Sequence, residues 1–492
     1  MTRARWIWEV LPFAFLSVLA LYVMAPFHSN LVIVLVVIAP LVVAFAVPTA
    51  FREALENTRA LARSFTWWHW LILFAMISGL VFRIREVQQI ESNPLDASAM
   101  IRIFFAAIVA VALIARLFRG QSLWLRAQFQ GLFGCLMMFT LLSLISTFWS
   151  VKPTWSLYKS LEFSIDLALY AAIVLYALAV ENYEPVVNWV YTLMGLIIVS
   201  AWIGAVISPA DGFTYGETGL FVLPQLTGIF PVAAANGLGT MAAVITLVAI
   251  TRLLIPAEDS SRSWYLTLAA FGVFTMIMTD ARSAIIGFLL GVILLLFFTR
   301  HLVAGMLLGF TGAAVAAFSG TGNVIWTYIL RGQHEQEFEG LSGRVEWWQF
   351  AWQKFLERPF TGWGGFAGGR FFILPQITQP GQATVPDLHS NIIEPLVDTG
   401  VFGLLFILLA LFGAWWYLYR GYRSAKLNPR EARLAVECMA VLALLTLRCT
   451  VSSTLTNHPA IPFLAVLGYA EYVRRRLKFG RNPESAPESP GA

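Results

Sequence analysis

Long apolar runs constrain this chain more than any other feature. Stretches of about 20 residues with few charged side chains recur along its length, as in LVIVLVVIAPLVVAFAV and IIGFLLGVILLLFF. Of the 492 residues, 58% are hydrophobic and 12% are charged, whereas a soluble domain carries about 25% charged residues. Because these runs lack the alternation typical of strands, the sequence predicts an all-α polytopic membrane protein.

The apolar runs and the basic residues between them predict about 12–14 transmembrane helices. The candidate spans lie at roughly residues 10–26, 30–48, 67–82, 103–118, 131–149, 158–180, 187–207, 236–251, 264–280, 283–299, 302–319, 391–419, 434–452 and 460–473. With the N-terminus in the cytoplasm, about two thirds of the Lys and Arg residues fall on the cytoplasmic side, in agreement with the positive-inside rule. Both termini are therefore predicted to be cytoplasmic.

This topology divides the chain into four parts. Residues 1–319 hold transmembrane helices 1–11, and residues 320–388 form a large periplasmic loop on the outer face. Residues 389–475 hold helices 12–14, and residues 476–492 form a disordered cytoplasmic tail rich in Pro, Ser and Glu. Because the loop contains aromatic residues and a Gly-rich turn, we expect it to fold.

Charge and cysteine content exclude other classes of protein. The net charge of +5 follows from the accumulation of Lys and Arg on the cytoplasmic side of membrane proteins, so no nucleic-acid partner is predicted. The three cysteines, Cys135, Cys438 and Cys449, each lie within an apolar run. Their placement and odd number argue against a disulfide framework or a zinc site.

The outer loop contains a predicted amphipathic helix at about residues 342–358, LSGRVEWWQFAWQKFLE, with Ser342 as its N-cap. One face of this helix is apolar and consists of Val345, Trp348, Ala351, Trp352, Phe355 and Leu356. Such a helix is expected to lie on the outer leaflet with its tryptophans at headgroup depth. Arg344 falls beside Trp348, near the apolar face, where it needs an anionic partner. That partner is either a lipid phosphate or a substrate phosphate.

A Gly-rich stretch, RPFTGWGGFAGGRFF, follows the predicted helix. Gly362 and Gly364 permit positive φ angles and close backbone approach. The spacing and the lysine of a phosphate-binding P-loop are missing. The stretch therefore predicts a shaped loop that could cover a cleft.

The tripeptide HSN occurs twice, at His28 and at His389, in different surroundings. His389 opens a predicted span at its outer end, and Glu394 and Asp398 follow one helical turn apart. Ionisable groups inside a membrane indicate function by default, and Pro395 is expected to bend or break the helix there. His28 precedes a span without acidic residues, so we interpret it as an interfacial histidine. His458 is predicted to face outward, without supporting context.

The predicted outer face collects Arg282, Arg344 and His389 from distant parts of the chain. Arg282 lies in MTDARSAIIG, at the end of a helical hairpin, where an interfacial snorkelling role is equally open. Two guanidinium groups can hold a diphosphate, and a neutral histidine suits general-base catalysis. No His-x-x-x-His pair or outward carboxylate cluster indicates a metal, so neither a metal nor a cofactor is predicted.

Four segments resemble a known family when they are taken in order. HSNIIEPLVDTGVFG resembles the histidine motif of the bacterial O-antigen ligase superfamily. LSGRVEWWQFAWQKFLERPFTGWG resembles its arginine helix and the glycine turn that follows, and TDARSAIIGFLLGVILLL resembles its Arg-Ser hairpin span. STFWSVKPTWSLYKSLEF is similar to an earlier segment of the family. The superfamily includes O-antigen ligases, Wzy-type polysaccharide polymerases and protein O-oligosaccharyltransferases.

The resemblance implies a metal-independent, inverting glycosyltransferase of the bacterial inner membrane that acts on the periplasmic side. It implies a glycan donor on undecaprenyl diphosphate and, as acceptor, a hydroxyl of a glycan or of lipid A-core. Arg282 and Arg344 would clamp the diphosphate, and His389 would take the proton of the acceptor hydroxyl. The substrate-binding residues are predicted to be Arg282, Arg344, Asp398, Glu394, Trp348, Gly362 and Gly364.

Two alternatives stay open at the level of the sequence. Ligase and polymerase share donor chemistry, and no residue pattern identifies the acceptor. A lipid-linked oligosaccharide flippase or another transporter is the competing class, because transporters place ionisable residues near the bilayer midplane. The candidates for that role are Glu162, Asp166, Glu437 and Arg448, although Lys159 and Glu162 are expected to pair locally.

Overall fold

The structure is a computed structural model that describes residues 65–81, 95–119, 122–214, 224–256, 262–318, 326, 328–330, 343–377, 387–424, 426–456, 458 and 460–479. The predicted spans at 10–26 and 30–48 lie outside the described residues, as do His28, Ser342 and most of the predicted tail.

The described chain is almost wholly helical. Its first helices are α1 Trp67–Leu80, α2 Ala97–Phe118, α3 Leu123–Ala127, α4 Gly131–Ile145, α5 Pro153–Ala179, α6 Glu184–Ile207 and α7 Pro209–Gly212. Four two-residue strands follow, β1 Phe213–Thr214, β2 Gln225–Leu226, β3 Gly228–Ile229 and β4 Val232–Ala233, and they pair antiparallel as β1–β2 and β3–β4. The remaining helices are α8 Ala235–Leu254, α9 Arg262–Thr279, α10 Arg282–Phe298, α11 Leu302–Phe318, α12 Arg344–Glu357, α13 Leu374–Ile377, α14 Ile393–Tyr422, α15 Pro429–Val451 and α16 Ile461–Phe479.

These elements confirm the predicted all-α polytopic membrane fold. Among the described residues, seven helices are long and apolar enough to cross a membrane, namely α2, α4 with the 3₁₀ turn that extends it to Phe148, α5, α6, α8, α14 and α15. The helices α1 and α10 are apolar but shorter. Each predicted span from 67–82 onward coincides with one helix, including the two joined by the short TDARS link.

Local sequence signals explain where several helices begin. Asp96 caps α2, and its side chain accepts a hydrogen bond from the backbone N–H of Ala99. At α15, Asn428 and Glu431 form a reciprocal capping box around Pro429 at the first helical position. Proline is favoured there because its missing N–H would have no partner within the helix.

The chain divides into two compact units. The first holds the described residues within 194–285 and 307–330, and the second holds those within 67–193, 286–306 and 343–479. In the first unit, α8 packs along α9, and Trp202 of α6 donates a hydrogen bond of 3.0 Å from Nε1 to Oγ1 of Thr275. This unit carries Arg282.

The second unit is built around α14, α15 and α16, which pack on one another. The helix α14 also packs against α4, and α16 packs against α4 and α5. Residues of α15 such as Ala435, Val441 and Leu444 are fully buried in its core. Because α15 is enclosed on most sides, its C-terminal end is held firmly beside the start of α14. The candidate site lies at this end of the unit.

The break in α14 lies at Gly400 and not at Pro395, so that prediction was wrong. Pro395 occupies the first turn, where a proline leaves no helical hydrogen bond unmade. Gly400 has φ 72° and ψ −167°, in a helix that is otherwise regular. A Cβ at Gly400 would collide with the backbone of Pro359 and Phe360.

The preceding loop replaces the hydrogen bonds that the break removes. The N–H of Trp363 bonds to the carbonyl of Val397 at 2.8 Å, and that of Gly364 bonds to the carbonyl of Asp398 at 2.9 Å. In return, the N–H of Val401 donates to the carbonyl of Pro359 at 2.8 Å. Buried backbone groups need such partners, so the break and the loop stabilise each other.

Candidate active site

The loop helix α12 begins at Arg344, with Gly343 at the N-cap in the left-handed conformation, φ 84°. It therefore starts about one residue later than a Ser342 cap predicts. Ala351 and Phe355 are buried in an apolar cluster whose other buried members are Ile373, Leu374, Leu388, Leu396 and Val397. Trp352 and Leu356, from the same predicted face, are 47% and 57% exposed. The predicted apolar face is thus divided between the protein core and the surroundings.

Two polar contacts fix the first turn of α12. Trp348 donates from Nε1 to the carbonyl oxygen of Leu388 at 2.9 Å, directly before His389. Arg344 donates from Nη1 to the carbonyl oxygen of Val451 at 3.1 Å, at the end of α15. The arginine and the histidine of the predicted site are therefore brought to the same end of the second unit.

The glycine turn takes the backbone conformations that the sequence predicts. Gly362 has φ 61° and Gly364 has φ 117°. A Cβ at Gly364 would collide with the side chain of Ser150, and one at Gly362 with the backbone of Asp398. The segment after α4 also holds the turn, because Gly365 donates its N–H to Oγ of Ser146 at 2.7 Å.

Asp398 stabilises this turn through its side chain. Its Oδ1 accepts the N–H of Gly369 at 2.9 Å, and the carboxylate is buried. Gly368 and Gly369 open a π-helical turn that runs to Ile373. The carboxylate predicted to bind substrate is engaged with the backbone that shapes the loop, and a direct contact with substrate stays a prediction.

His389 is paired with Asp387. Its Nδ1 lies 2.9 Å from Oδ1 of Asp387, and its backbone N–H donates to the same oxygen at 2.8 Å. The backbone of His389 has φ 52°, and its side chain is 27% exposed. A histidine held at Nδ1 by a carboxylate presents Nε2 to its surroundings.

The two residues after His389 have structural contacts. Oγ of Ser390 accepts the backbone N–H groups of Ile392 and Ile393 at 3.3 Å, just before and at the start of α14. Asn391 is buried and joins α14 to the chain after α15. Its amide contacts are the backbone N–H groups of Thr454 at 2.6 Å and Leu455 at 3.0 Å, and Oγ1 of Thr456 at 2.9 Å.

Further charged residues have contacts at the C-terminal end of α15. Ser453 donates to Oε2 of Glu394 at 2.5 Å. Arg448, which is only 2% exposed, donates from Nη2 to Oγ of Ser452 at 3.2 Å. Sequence analysis identified Arg448 only as an ionisable residue within a span.

Arg282 lies in the first unit. It is the first residue of α10 and donates from Nη2 to the carbonyl oxygen of Leu330 at 3.4 Å. Asp280, just before it, is buried and has φ 45°. The part that Arg282 takes in a site with Arg344 and His389 stays a prediction.

A buried ionic cluster lies within the helices of the second unit. Glu162 pairs with Lys159 at 2.6 Å, as predicted, and with Arg102 at 3.0 Å. The side chain of His458 is 3% exposed. Its Nδ1 lies 2.6 Å from Oδ2 of Asp166, and its Nε2 lies 3.1 Å from Oγ of Ser78. The expectation that His458 lacks supporting context was therefore wrong.

Asp387 is the residue of the site that sequence reasoning missed. The segment DLHSN places it two residues before His389, a spacing that a left-handed residue can close into a side-chain contact. The signal was present, but an aspartate next to a predicted span boundary is commonplace. The positive φ of His389 brings its side chain into contact with Asp387.

The fold and these residues define a class, a multi-pass α-helical membrane protein with a histidine, a carboxylate and two arginines grouped at one end of its helices. The family model of O-antigen ligases, Wzy_C, matches residues 266–408, a segment that includes Arg282, Arg344 and His389. The resemblance to the O-antigen ligase superfamily is therefore confirmed over this segment, and the match supports a membrane protein that transfers glycan as a ligase or polymerase does. No curated protein matches the chain.

Proposed function

We propose that this protein is a glycosyltransferase of the bacterial inner membrane. It transfers a glycan from undecaprenyl diphosphate to a sugar hydroxyl on the periplasmic face, without a metal and with inversion at the anomeric carbon. The observation that carries the proposal is the contact of 2.9 Å between Nδ1 of His389 and Oδ1 of Asp387. The family match supports the same chemistry.

The contact favours one tautomer of His389. With its Nδ1–H donated to Asp387, the imidazole keeps a lone pair on Nε2 for the proton of the acceptor hydroxyl. The negative charge of Asp387 also stabilises the imidazolium that forms when that proton arrives. Asp387 acts through His389, so it is a positioning residue.

The reaction then proceeds as a single displacement. The acceptor oxygen attacks the anomeric carbon from the face opposite the diphosphate, and its proton passes to Nε2 of His389. The new glycosidic C–O bond forms while the bond from the anomeric carbon to the diphosphate oxygen breaks, and that oxygen keeps the electron pair. Arg344 stabilises the negative charge on the departing diphosphate. The same role for Arg282 stays a prediction.

Transfer by the purified protein tests the proposal. Protein reconstituted in liposomes receives a glycan-linked undecaprenyl diphosphate and either lipid A-core or a second donor glycan as acceptor. Product on lipid A-core identifies a ligase, and lengthened glycan identifies a polymerase. His389→Ala should lower the rate by roughly 10²–10⁴-fold, whereas His301→Ala, at an exposed histidine, should leave it unchanged. Full activity of His389→Ala refutes the proposal.

One observation favours a second candidate, a flippase for lipid-linked oligosaccharides. Glu162, Asp166 and Arg102 are ionisable groups within apolar helices, and His458 joins them from the segment between α15 and α16. Transporters also place ionisable groups within their helices. Movement of a fluorescent lipid-linked oligosaccharide across the liposome bilayer, in the absence of any acceptor, would support this candidate. A protein that transfers glycan and does not move the lipid is the enzyme proposed here.

A further inference from the structure

We propose that the C-terminal half of α12 and the glycine turn after it are inserted into the lipid leaflet on the side of the candidate site. The surface that makes this contact is an apolar patch formed by Trp352, Leu356, Phe360, Phe148 and Phe402. Because α12 begins at Arg344, the contact holds the candidate site at the membrane surface. The inference goes beyond the proposed function and does not rest on it.

The side chains of the apolar patch are large and exposed. Phe148 is 91% exposed and Phe360 is 62% exposed, while Trp352, Leu356 and Phe402 are half exposed. Single exposed apolar residues are normal on a protein surface, but a contiguous patch of them marks an interaction site. The apolar patch therefore needs an occupant.

Contacts near the break in α14 bring the members of the patch together. The rings of Phe360 and Phe402 lie 6.0 Å apart. Next to Phe148, Trp149 donates from Nε1 to the carbonyl oxygen of Thr361 at 3.1 Å. The end of α4 with its 3₁₀ extension, the glycine turn and the start of the second part of α14 thus share one surface.

The apolar patch continues the stripes of exposed apolar residues on two membrane-spanning helices. These stripes are Phe402, Leu405, Leu409 and Phe412 on α14, and Met138, Ile145 and Phe148 on α4 with its extension. Their spacings of three, four and seven residues place each stripe on one face of its helix. Both helices are long and apolar enough to cross a membrane, so lipid covers the stripes. Because the patch begins where the stripes end, lipid is the occupant that this surface favours.

The exposed side of α12 has an apolar part and a polar part. Trp352 and Leu356 lie four residues apart on one side of the helix. Gln353 and Glu357 are also exposed, and each follows an apolar residue by one position, which places it about 100° further around the helix. The protein core covers a third side. A helix that offers separate sides to core, lipid and water is expected at a bilayer surface.

The charges around the apolar patch fit lipid headgroups. Arg358 follows α12 and is exposed, and its guanidinium carbon lies 4.1 Å from the centre of the Trp363 ring. An arginine at the edge of an apolar surface can reach lipid phosphates while its stem stays on that surface. Lys354 and Glu357 pair at 2.6 Å on the polar side of α12. The patch itself contains no charged side chain, as contact with acyl chains requires.

Nitroxide labels on single introduced cysteines test the contact. Full-length Leu356→Cys and Phe360→Cys are labelled in proteoliposomes, and power saturation measures collisions with oxygen, which concentrates in lipid, and with a water-soluble nickel chelate. Both labels should lie about 5–10 Å below the lipid phosphates and should collide more with oxygen. Gln353→Cys and Glu357→Cys, on the same helix, are matched controls that should collide more with the nickel chelate. Phe412→Cys, on the stripe of α14, calibrates the hydrocarbon.

Each outcome of this experiment decides the inference. Wild type carried through the same labelling gives the background from the three native cysteines, and size-exclusion chromatography shows that each variant is folded. If Phe360→Cys does not fold, Trp352→Cys takes its place. A patch label that collides more with the nickel chelate lies in water and overturns the inference. A patch label shielded from both reagents is covered by protein, such as a second copy of the chain, which also overturns it. Glycan transfer is not measured, so either result leaves the proposed function to its own test.

Discussion

At the scale of single residues, HSN is a segment in which each side chain has its own task. His389 faces outward from the buried core and contacts Asp387. Ser390 and Asn391 instead accept hydrogen bonds from backbone N–H groups of the protein. In this polar tripeptide at the start of a membrane helix, one residue has the proposed chemical role and the other two have structural roles. The division predicts different consequences for neighbouring substitutions.

The partnership of Asp387 with His389 predicts a specific kinetic defect. In Asp387→Asn the amide can donate to Nδ1, which moves the imidazole proton to Nε2 and removes the lone pair needed for catalysis. We expect kcat to fall by at least about tenfold while binding of the lipid diphosphate stays within about twofold. Initial rates at saturating donor, combined with nanodisc titration, measure both quantities. A parallel loss of binding would mean that Asp387 shapes the pocket and does not position the base.

Asn391 and Ser390 should affect stability and not chemistry. Asn391→Ala leaves the buried N–H groups of Thr454 and Leu455 without their acceptor, at a cost of about 1–3 kcal/mol for each group. Ser390→Ala removes the acceptor of two N–H groups at the start of α14 and should cost about 1 kcal/mol. Thermal unfolding in detergent ranks the two variants, and the larger fall in Tm should belong to Asn391→Ala. Equal Tm values would contradict the role of Asn391 in joining α14 to the chain after α15.

At the scale of elements, the broken helix α14 and the glycine turn depend on each other. The break frees the carbonyls of Val397 and Asp398, and the turn supplies the N–H groups of Trp363 and Gly364. The same arrangement brings Gly369 to the carboxylate of Asp398. The sequence analysis placed the disruption at Pro395 because proline is the strongest local signal. The disruption lies instead at a glycine. Glycine is required there because a loop about 40 residues earlier in the chain approaches the backbone closely.

This dependence predicts which substitution in α14 is harmful. Gly400→Ala forces an L-residue to adopt φ 72° and drives a methyl group into the backbone of Pro359 and Phe360. The strain alone costs about 1–2 kcal/mol, and the turn must also move. Pro395→Ala should change the stability by less than about 1 kcal/mol, because the first turn of a helix tolerates either residue. Chemical unfolding in detergent compares the two.

A neutral control is available within the same fold. Gly309 of α11 has no atom within 4 Å of an added Cβ, so Gly309→Ala should be neutral or stabilising by up to about 1 kcal/mol. If Gly400→Ala proves as mild as Gly309→Ala, the turn and the break are not coupled as described.

At the scale of the whole molecule, the sequence predicts the helices better than it predicts the contacts between distant residues. Hydropathy defines every described span, because about 20 apolar residues per crossing is a strong physical requirement. The existence of α12 and the positive φ of Gly362 also follow from local signals. Contacts such as Asp166 with His458, or Arg344 with the end of α15, join residues more than 100 positions apart. No local periodicity reports such pairs.

The buried ionic cluster yields the last prediction, which separates framework from transport. Glu162 accepts contacts from Lys159, Arg102 and Tyr158, so Glu162→Gln leaves two cations without their shared carboxylate. Removal of one partner from a buried ion pair costs about 3–5 kcal/mol, and we expect a clear fall in Tm. Because the cluster touches neither His389 nor Asp387 in any contact described above, the folded fraction should transfer glycan at the wild-type rate. Measuring kcat per folded molecule after separation by size-exclusion chromatography tests this. A well-folded Glu162→Gln protein that cannot transfer glycan would instead place the cluster in the reaction or in movement of the lipid, and the framework role would have to be given up.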